Sequence, residues 1–342
     1  MKKKVSAIAM SFLIMAIAMS IMAGCGNEKI ESEIKPTEGL KYELISQNEQ
    51  SSYCVTGIDS YDGFGVLKIE QLVIPEEYNG LPVTKIREYA FEERTGIKSL
   101  ILPSTIDEIG EYAFSYCTGL SSITVKSGNK RYHSVNNCLI DTAEKKLVLG
   151  CKNSIIPTDG TVTSIGEYAF HGCYALKSIY IPKNITIISE NSFSACKGMV
   201  TLDVDAENPN YSSHDGIMYD KSKTQIVYVP ESISGEISLP ESLTKIRDHA
   251  FHDRVKLTGI TIPDNVTYIG NYAFTDCRAL KNVVIGKNVT NIDFSGCRSL
   301  ESITFGGTCA QWKSLDKEEI WLYDTGNFTV ECADGTLPKS ES

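Results

Sequence analysis

Residues 162–182 read VTSIGEYAFHGCYALKSIYIP, and the apolar skeleton of this stretch recurs along the chain. The skeleton is V-x-x-I-G-x-x-A-F-x-x-C-x-x-L-x-x-I-x-I-P, and its phenylalanine is the most regular landmark. Neighbouring phenylalanines are 23 residues apart in three pairs, and the gaps of 56 and 58 residues between pairs hold one repeat plus an insertion. The landmark occurs seven times, at Phe91, Phe114, Phe170, Phe193, Phe251, Phe274 and Phe294.

A period of this length with the spacing L-x-x-I-x-I is typical of a leucine-rich repeat solenoid. The last two apolar residues flank an outward one, as in Ile179-Tyr180-Ile181, which predicts a short strand stacked in parallel on the next coil. V-x-x-I-G predicts a second extended piece, and A-F-x-x-C has room for about one helical turn with its Ala, Phe and Cys inward. The predicted fold is an α/β-type solenoid, mostly β, with seven coils of about 23 residues in residues 72–305.

Two related insertions separate the second coil from the third and the fourth from the fifth. Residues 129–149 match residues 208–228 at a constant offset of 79, and the same offset relates the flanking pairs of phenylalanines. Duplication of two coils plus one insertion therefore explains much of the chain. Each insertion has a strand–turn–strand pattern, so we predict β-hairpin insertions in residues 126–155 and 205–236.

Both ends of the predicted solenoid carry sequence without the repeat skeleton. Residues 40–71 contain two short strand patterns, and a cap is needed there because an open solenoid end exposes apolar core and unpaired strand edges. The seventh coil is three residues short, as is common in a terminal repeat. Residues 306–342 hold Trp312, Trp321 and a strand and turn at 329–335, so we predict a C-terminal cap and tail.

The first 24 residues have the pattern of an export signal. Three lysines precede an uncharged apolar run at 5–22, and two small residues precede Cys25. The arrangement resembles a bacterial lipobox, in which Cys25 is lipidated and becomes the mature N-terminus. The run is also about long enough for a transmembrane anchor, which is the alternative. We predict a lipoprotein signal peptide at 1–24, a membrane lipid anchor on Cys25 and a flexible polar tether at 25–39.

The chain is acidic, with a formal net charge of −10. Removal of residues 1–24 takes away three lysines and no acid, which leaves a net charge of −13. Binding to nucleic acid or to an anionic membrane surface through a basic patch requires clustered Lys and Arg. We therefore predict no nucleic-acid partner.

The repeats resemble the BspA-type bacterial surface leucine-rich repeat, whose consensus is L-x-x-I-x-I-P-x-x-V-x-x-I-G-x-x-A-F-x-x-C. The likeness covers residues 72–305 and extends to N-P-x-Y-S-S-x-D-G-x-x-Y at 208–219 and C-x-D-G-T-L at 332–337. It implies an exported cell-surface protein used in adhesion or other binding, and it implies no catalytic residues. Arg94 and Arg254 stand where this family has Cys, which leaves the core at those two coils open.

The chain has 11 cysteines, and five of them share one repeat position. We predict that these five are free thiols in the core, because parallel side chains of stacked coils suit packing better than bridging. Disulfide bridges remain alternatives for the pairs Cys173–Cys196, Cys277–Cys297, Cys309–Cys332 and Cys138–Cys151.

No motif in the sequence predicts catalysis. His249 and His252 lie between Asp248 and Asp253 and could clamp a metal, but both occupy repeat positions that hold Tyr, His, Ser or Thr in other coils. We therefore predict no metal site, no cofactor and no enzyme.

Two binding functions fit these patterns. The first is a surface lipoprotein whose solenoid binds an extracellular protein, such as a host matrix protein, in adhesion. The second is glycan capture, favoured by the aromatic column Tyr89, Tyr112, Tyr168 and Tyr272, which could instead merely pack over the turn before each Phe. A surface hydrolase is the third and weakest alternative.

The predicted ligand face is the row of outward strand residues between the last two apolar residues of each coil. The row is small and nearly uncharged, so removing water from it costs less than removing water from carboxylates. Tyr180 lies near its middle, as an aromatic anchor would; alternatively, short strands simply favour Thr, Val and Ile. We take Thr124, Tyr180, Asp203 and Thr261 as its representatives, in a row that also contains Ile101, Ser238, Val284 and Thr304.

Overall fold

The chain forms a β-solenoid of about 11 turns, which confirms the predicted fold class. The computed structural model describes residues 35–47, 50–59, 69–189, 191–317 and 321–341. The predicted signal peptide, the lipidation site Cys25 and residues 25–34 of the tether lie outside the described residues.

The N-terminal cap is an antiparallel hairpin, and its second strand pairs in parallel with the first coil. Two ladders of short parallel strands begin here, one for each extended piece of the repeat. The elements are β1 (Leu40–Gln47), β2 (Gln50–Ile58), β3 (Gln71–Val73), β4 (Glu77–Tyr78), β5 (Leu81–Ile86), β6 (Ser99–Leu102), β7 (Glu108–Ile109) and β8 (Ser122–Val125).

Each insertion contains three antiparallel strands, one more than the strand–turn–strand pattern predicted. In the first insertion, the last strand, β11, also pairs in parallel with β12 of the next coil. The first insertion therefore continues the ladder formed by the V-x-x-I-G strands. The elements are β9 (Tyr132–Val135), β10 (Cys138–Asp141), β11 (Lys146–Leu149), β12 (Ser164–Ile165), β13 (Ser178–Ile181), β14 (Ile187–Ile188), β15 (Thr201–Val204), β16 (Tyr211–His214), β17 (Ile217–Asp220) and β18 (Ile226–Tyr228).

The C-terminal half holds the longest sheet, in which β27 continues the parallel strands and β28 closes them as an antiparallel hairpin. A short capped helix between β25 and β26 buries Trp312 completely. The elements are β19 (Ser234–Ser238), β20 (Lys245–Ile246), β21 (Lys256–Ile262), β22 (Tyr268–Ile269), β23 (Asn282–Ile285), β24 (Asn291–Ile292), β25 (Ser302–Phe305), α1 (Cys309–Lys313), β26 (Asp316–Lys317), β27 (Thr329–Cys332), β28 (Gly335–Pro338) and a 3₁₀ turn, Lys339–Glu341.

The number of turns, about 11, exceeds the seven coils counted from the landmark Phe.

The seven landmark phenylalanines are all buried, as predicted. Within each run of adjacent coils their rings stack, with centroids 5.4 Å apart for Phe91–Phe114 and 5.1 Å apart for Phe251–Phe274. Each ring therefore fills the space above the ring of the preceding coil.

The repeated cysteines make a second kind of contact between coils, a hydrogen bond from the thiol to a backbone carbonyl. The thiol of Cys196 donates to the backbone carbonyl of Phe170, in the preceding coil, at 3.1 Å. The equivalent bond to the landmark Phe of the preceding coil is made by Cys117, Cys277 and Cys297. All ten described cysteines are free, and burial raises the pKa of the Cys117 thiol to about 12. Arg254 replaces Cys where an insertion precedes the coil, and its guanidinium donates to the carbonyl of Val229 instead.

The middle strand of each insertion crosses the interior of the solenoid. All four residues of β10 are buried, and Leu139 packs into the N-terminal core while Ile140 packs into the central core. In β17, Met218 belongs to the central core and Tyr219 to the C-terminal core. The insertions are therefore partitions that divide the interior into three cores, each filled from both sides by an alternating strand.

An asparagine side chain fixes each insertion to the coil before it. Asn208 is fully buried, and its side-chain amide donates to the carbonyls of Pro182 and Ile185 at 3.0 and 2.8 Å. Its side-chain oxygen accepts hydrogen bonds from the backbone of residues 210 and 211. Asn129 makes the same set of contacts in the first insertion.

The segment around the landmark Phe is a series of turns, which stays within the limit of about one helical turn that its length allows. The residue two positions before Phe adopts a left-handed backbone, with φ of 57° at Tyr168 and 56° at Tyr272. This conformation turns N–H groups toward the next coil, so that Tyr89 and Phe91 donate to the carbonyls of Glu111 and Ala113. An α-helix would instead use these groups within its own coil.

We expect Phe170→Ala to destabilise the central coils by about 3–5 kcal/mol, because the alanine leaves a cavity beneath the stacked ring of Phe193. Urea unfolding followed by circular dichroism measures the loss, with Tyr272→Ala as the control in which an exposed ring is removed. An unfolding curve identical to that of the wild type would show that the Phe column does not stabilise the fold.

Candidate functional site

The predicted ligand face is present as outward residues of the first strand ladder, but it is divided into three parts. Ile101 pairs with Thr124, and Tyr180 pairs with Asp203 in a separate two-stranded sheet. Thr261 lies in the long C-terminal sheet. The insertions cause both breaks, because a serine of each insertion stands where the next parallel strand would pair. The hydroxyls of Ser134 and Ser213 accept hydrogen bonds from the N–H groups of residues 125 and 204.

Two members of the row differ from the expectation of a free outward side chain. Ile101 is only 9% exposed, so the first part of the row offers little more than Thr124. Tyr180 is 49% exposed, but its hydroxyl donates to the Asp205 carboxylate at 2.7 Å. Partial burial and this hydrogen bond raise the pKa of Tyr180 to about 12, so the phenol stays neutral at physiological pH.

The longest continuous part of the face spans five parallel strands, β19, β21, β23, β25 and β27. Thr261 is half-buried, whereas the other outward residues are exposed. The last of them, Glu331, was not predicted from the sequence, because β27 lies in the cap and lacks the repeat skeleton. In register the row reads Ser238, Thr261, Val284, Thr304 and Glu331.

Ion pairs flank this uncharged row at both ends of the strands. Lys281 pairs with Glu301 at 3.1 Å where β23 and β25 begin, and Lys287 lies 3.9 Å from Asp264 just beyond the ends of β23 and β21. The face therefore has a weakly polar centre and a charged margin, an arrangement common in protein interfaces.

The aromatic column forms a second surface and falls into two groups. In the N-terminal group, Tyr89 stacks on Tyr112 at 5.1 Å, and Tyr112 meets Tyr168 at 4.3 Å with a tilt of 41°. In the C-terminal group, His249 stacks on Tyr272 at 5.3 Å. Packing within the column and partial exposure to solvent thus occur together, since Tyr89 is still 50% exposed.

A cleft of about 430 Å³ opens beside the N-terminal group, between the second and third coils. The first insertion holds these coils apart, and its strands supply one wall with Arg131, Asp141 and Lys146. Tyr112 and Tyr168 also line the cleft. Arg131 donates to the buried Asp141 carboxylate at 3.0 Å, so the insertion side of the cleft is fixed by an ion pair.

The family model of the BspA type leucine rich repeat region matches residues 56–138, 145–235 and 231–315, with six copies. The chain belongs to the BspA-type leucine-rich repeat family. No curated protein sequence matches this BspA-type chain.

Several solved structures are similar to the BspA-type chain. A leucine rich cell surface protein from Faecalibacterium prausnitzii is 22% identical, with a TM-score of 0.47 over 88% of this chain and 94% of that one. A leucine-rich repeat protein from Eubacterium ventriosum is 24% identical, with a TM-score of 0.49 over 79% of this chain and 71% of that one. The pneumococcal vaccine antigen PcpA is 15% identical, with a TM-score of 0.49 over 87% of each chain.

One pair of polar side chains in this BspA-type chain has the residue types of a catalytic pair. His171 lies 3.1 Å from the Ser115 hydroxyl, which resembles a nucleophile and base. The same repeat position forms the contact between Thr275 and Ser295, also at 3.1 Å, so the pair is one instance of a recurring bond between coils. Burial lowers the pKa of His171.

The described residues contain no group of three or more potential ligands that could hold a metal ion. His249 and His252 are neighbours in the aromatic column, with ring centroids 5.6 Å apart. In the same part of the chain, no helix is long and apolar enough to span a membrane.

We expect the Asp141–Arg131 pair to give a stability contribution that depends on pH. Burial raises the pKa of Asp141, but hydrogen bonds from the Glu144 N–H and from Arg131 outweigh burial and hold this pKa below its ordinary value. The contribution is therefore present above about pH 4 and is lost as the pH falls through the lowered pKa.

Asp141→Ala should accordingly lower the free energy of unfolding by about 1–3 kcal/mol at neutral pH and by less in acid. Urea unfolding of both proteins at pH 7 and through the range below about pH 4, in which the Asp141 carboxylate takes up its proton, measures the difference. Asp203→Ala, which removes an exposed carboxylate, is the control. A difference that stays constant with pH would contradict a stabilising role for the ionised Asp141.

Proposed function

We propose that this protein is a lipid-anchored surface protein that binds an extracellular protein ligand through the face of β19, β21, β23, β25 and β27. The observation that carries this proposal is the continuous row Ser238, Thr261, Val284, Thr304 and Glu331 on five strands in register. A solenoid offers such an extended face to a macromolecule more readily than a closed pocket for a small one.

The chemistry of the row favours a folded protein as the ligand. Four of its five residues carry no charge, so covering them requires little loss of ionic hydration. Val284, at the centre, is 41% exposed and gives an apolar contact point. The ion pairs of Lys281 and Lys287 at the margin can orient a partner without being buried.

This proposal moves the site toward the C-terminus relative to the sequence-based prediction. Tyr180 and Thr261 were expected to act together, but the second insertion separates their sheets. We therefore place Thr261 next to the central Val284 in the proposed face, and Tyr180, Asp203 and Thr124 extend that face only if the ligand spans the insertions.

We expect Thr261→Lys to weaken binding to the protein ligand about tenfold or more, because the lysine places a charge in the uncharged part of the contact, next to Val284. Thr267→Lys is the matched control, since it puts the same charge on an exposed threonine of the same coil outside this sheet. Surface plasmon resonance against a panel of purified extracellular-matrix proteins measures both variants. Absence of any binding by the wild type, or equal binding by the two variants, would argue against the strand face.

Surface display requires an anchor, and we propose that Cys25 carries it. Two acyl chains on one cysteine hold a protein stably at a membrane, whereas the apolar run before it would be removed. The acidic repeat domain would then extend from the surface on the polar tether.

Cys25→Ser should abolish incorporation of labelled fatty acid and leave an unprocessed precursor that no longer carries a lipid. Metabolic labelling and fractionation of the expressing cells give the answer, with Cys54→Ser as a control for the loss of a buried thiol. Wild-type protein that remains unlabelled and unprocessed in the membrane fraction would favour the transmembrane alternative.

A further inference from the structure

The cleft beside Tyr112 has a natural comparison within the same chain, because the second insertion repeats the first at an offset of 79 residues. Leu149 lines the cleft, and the equivalent residue in the second insertion is Tyr228. The Tyr228 ring packs on Phe193 at 5.4 Å, and its hydroxyl donates to the Phe193 carbonyl at 3.2 Å. The tyrosine thus occupies space that the leucine leaves open.

The coil residues beneath the two positions show the consequence. Phe114 and Cys117, next to the first insertion, are 6% and 8% exposed. Their equivalents Phe193 and Cys196, beneath Tyr228, are 2% and 0% exposed. The cleft therefore comes from specific residues of the first insertion and not from the insertion architecture, which both copies share.

Arg131 is the second difference between the copies. Its equivalent in the second insertion, Asn210, donates to the carbonyl of Thr186. Arg131 makes the equivalent bond, since its Nη1 donates to the carbonyl of Asp107, which lies 79 residues before Thr186. The longer guanidinium also bonds Asp141 through Nε. Among the described residues its remaining nitrogen, Nη2, has no hydrogen-bond partner, so it can donate to a ligand in the cleft.

Tyrosines hold both aromatic positions of the cleft only in the first copy, since His249 stands at the position of Tyr168 in the second. Tyr112 and Tyr168 are half-buried in the cleft. The pKa of Tyr112 is raised to about 12, mainly by a hydrogen bond with the Tyr168 hydroxyl and to a smaller extent by burial. In the second copy Asn191 stands at the position of Tyr112. Aromatic rings provide a surface for the C–H groups of a ligand, while fixed polar groups determine its orientation.

The charges around the cleft argue against an anionic ligand. Glu111 and Glu167 are exposed in its lining, and Lys146 is paired with Glu144. Exposed carboxylates accept hydrogen bonds from hydroxyl groups but repel a phosphate, a sulfate or a sialic acid. A pyranose ring has apolar C–H patches as well as hydroxyls that both donate and accept, so it matches the tyrosine wall and the polar wall together.

We propose that the cleft between the second and third coils binds a neutral hexose unit of an extracellular glycan. The volume of about 430 Å³ lies within the range of small-molecule sites, roughly 300–1,000 Å³. This site is separate from the strand face proposed for a protein ligand. A glycan partner would therefore be bound in addition to a protein partner, and loss of one activity would not remove the other.

The test uses the purified chain without residues 1–24 on an array that carries neutral gluco-, galacto- and manno-oligosaccharides beside sialylated and sulfated glycans. Calorimetric titration with the strongest neutral oligosaccharide then gives the affinity of each variant. Leu149→Tyr copies the second insertion and should fill the cleft without removing any polar group. Tyr168→Ala removes part of the aromatic wall, and Tyr272→Ala removes an exposed tyrosine from the same column outside the cleft.

We expect a neutral oligosaccharide to bind, with affinity lowered about tenfold or more by Leu149→Tyr and by Tyr168→Ala and unchanged by Tyr272→Ala. Circular dichroism establishes that each variant is folded. If Leu149→Tyr does not fold, Arg131→Asn decides, because it copies the second insertion, removes the free donor and should lower the affinity to a similar degree.

Three results would overturn the proposal: an array on which no neutral glycan is retained, selective retention of sialylated or sulfated glycans, or wild-type affinity in the folded Leu149→Tyr variant. Thr261→Lys distinguishes this site from the strand face, since it should leave glycan binding unchanged.

Discussion

Contact between adjacent coils is the constraint on which this structure depends. One coil is too small to enclose its own apolar side chains, so the phenylalanine rings of adjacent coils stack on each other and four of the five repeated cysteines bond a carbonyl of the coil before. Arg254, beside the second insertion, also bonds the preceding turn, because its guanidinium donates to the carbonyl of Val229.

The same constraint explains why the insertions lie inside the solenoid. A segment that separates two coils must cover the apolar surfaces of both, and the alternating strands β10 and β17 do so by sending successive side chains into opposite cores. This arrangement has two effects on the surface. It interrupts the outward row of the first ladder, and at the first insertion it leaves a cleft where Leu149 is too short to fill the space.

Backbone geometry links the core to the aromatic column. A tyrosine in a left-handed conformation costs roughly 1–2 kcal/mol relative to the right-handed one, yet Tyr89, Tyr112, Tyr168 and Tyr272 all adopt it. The conformation directs N–H groups to the next coil and brings the tyrosine rings together, so hydrogen bonds and stacking offset the strain. The column is thus both a structural element and a half-exposed aromatic surface, which is why the sequence left its two interpretations open.

The sequence by itself determined the solenoid, the inward Phe column and the insertions, because a fixed period places the same residue types at the same point of every coil. It also predicted which strand residues point outward, since strand alternation is local. It could not predict which of those residues are neighbours, because the path of each insertion through the core depends on packing against distant coils, as when Leu139 and Ile140 enter different cores from opposite faces of one strand. For the same reason the separation of Tyr180 from Thr261 and the cleft at Leu149 were decided only by the tertiary structure, in which volumes and contacts between coils, and not spacing along the chain, set the surface.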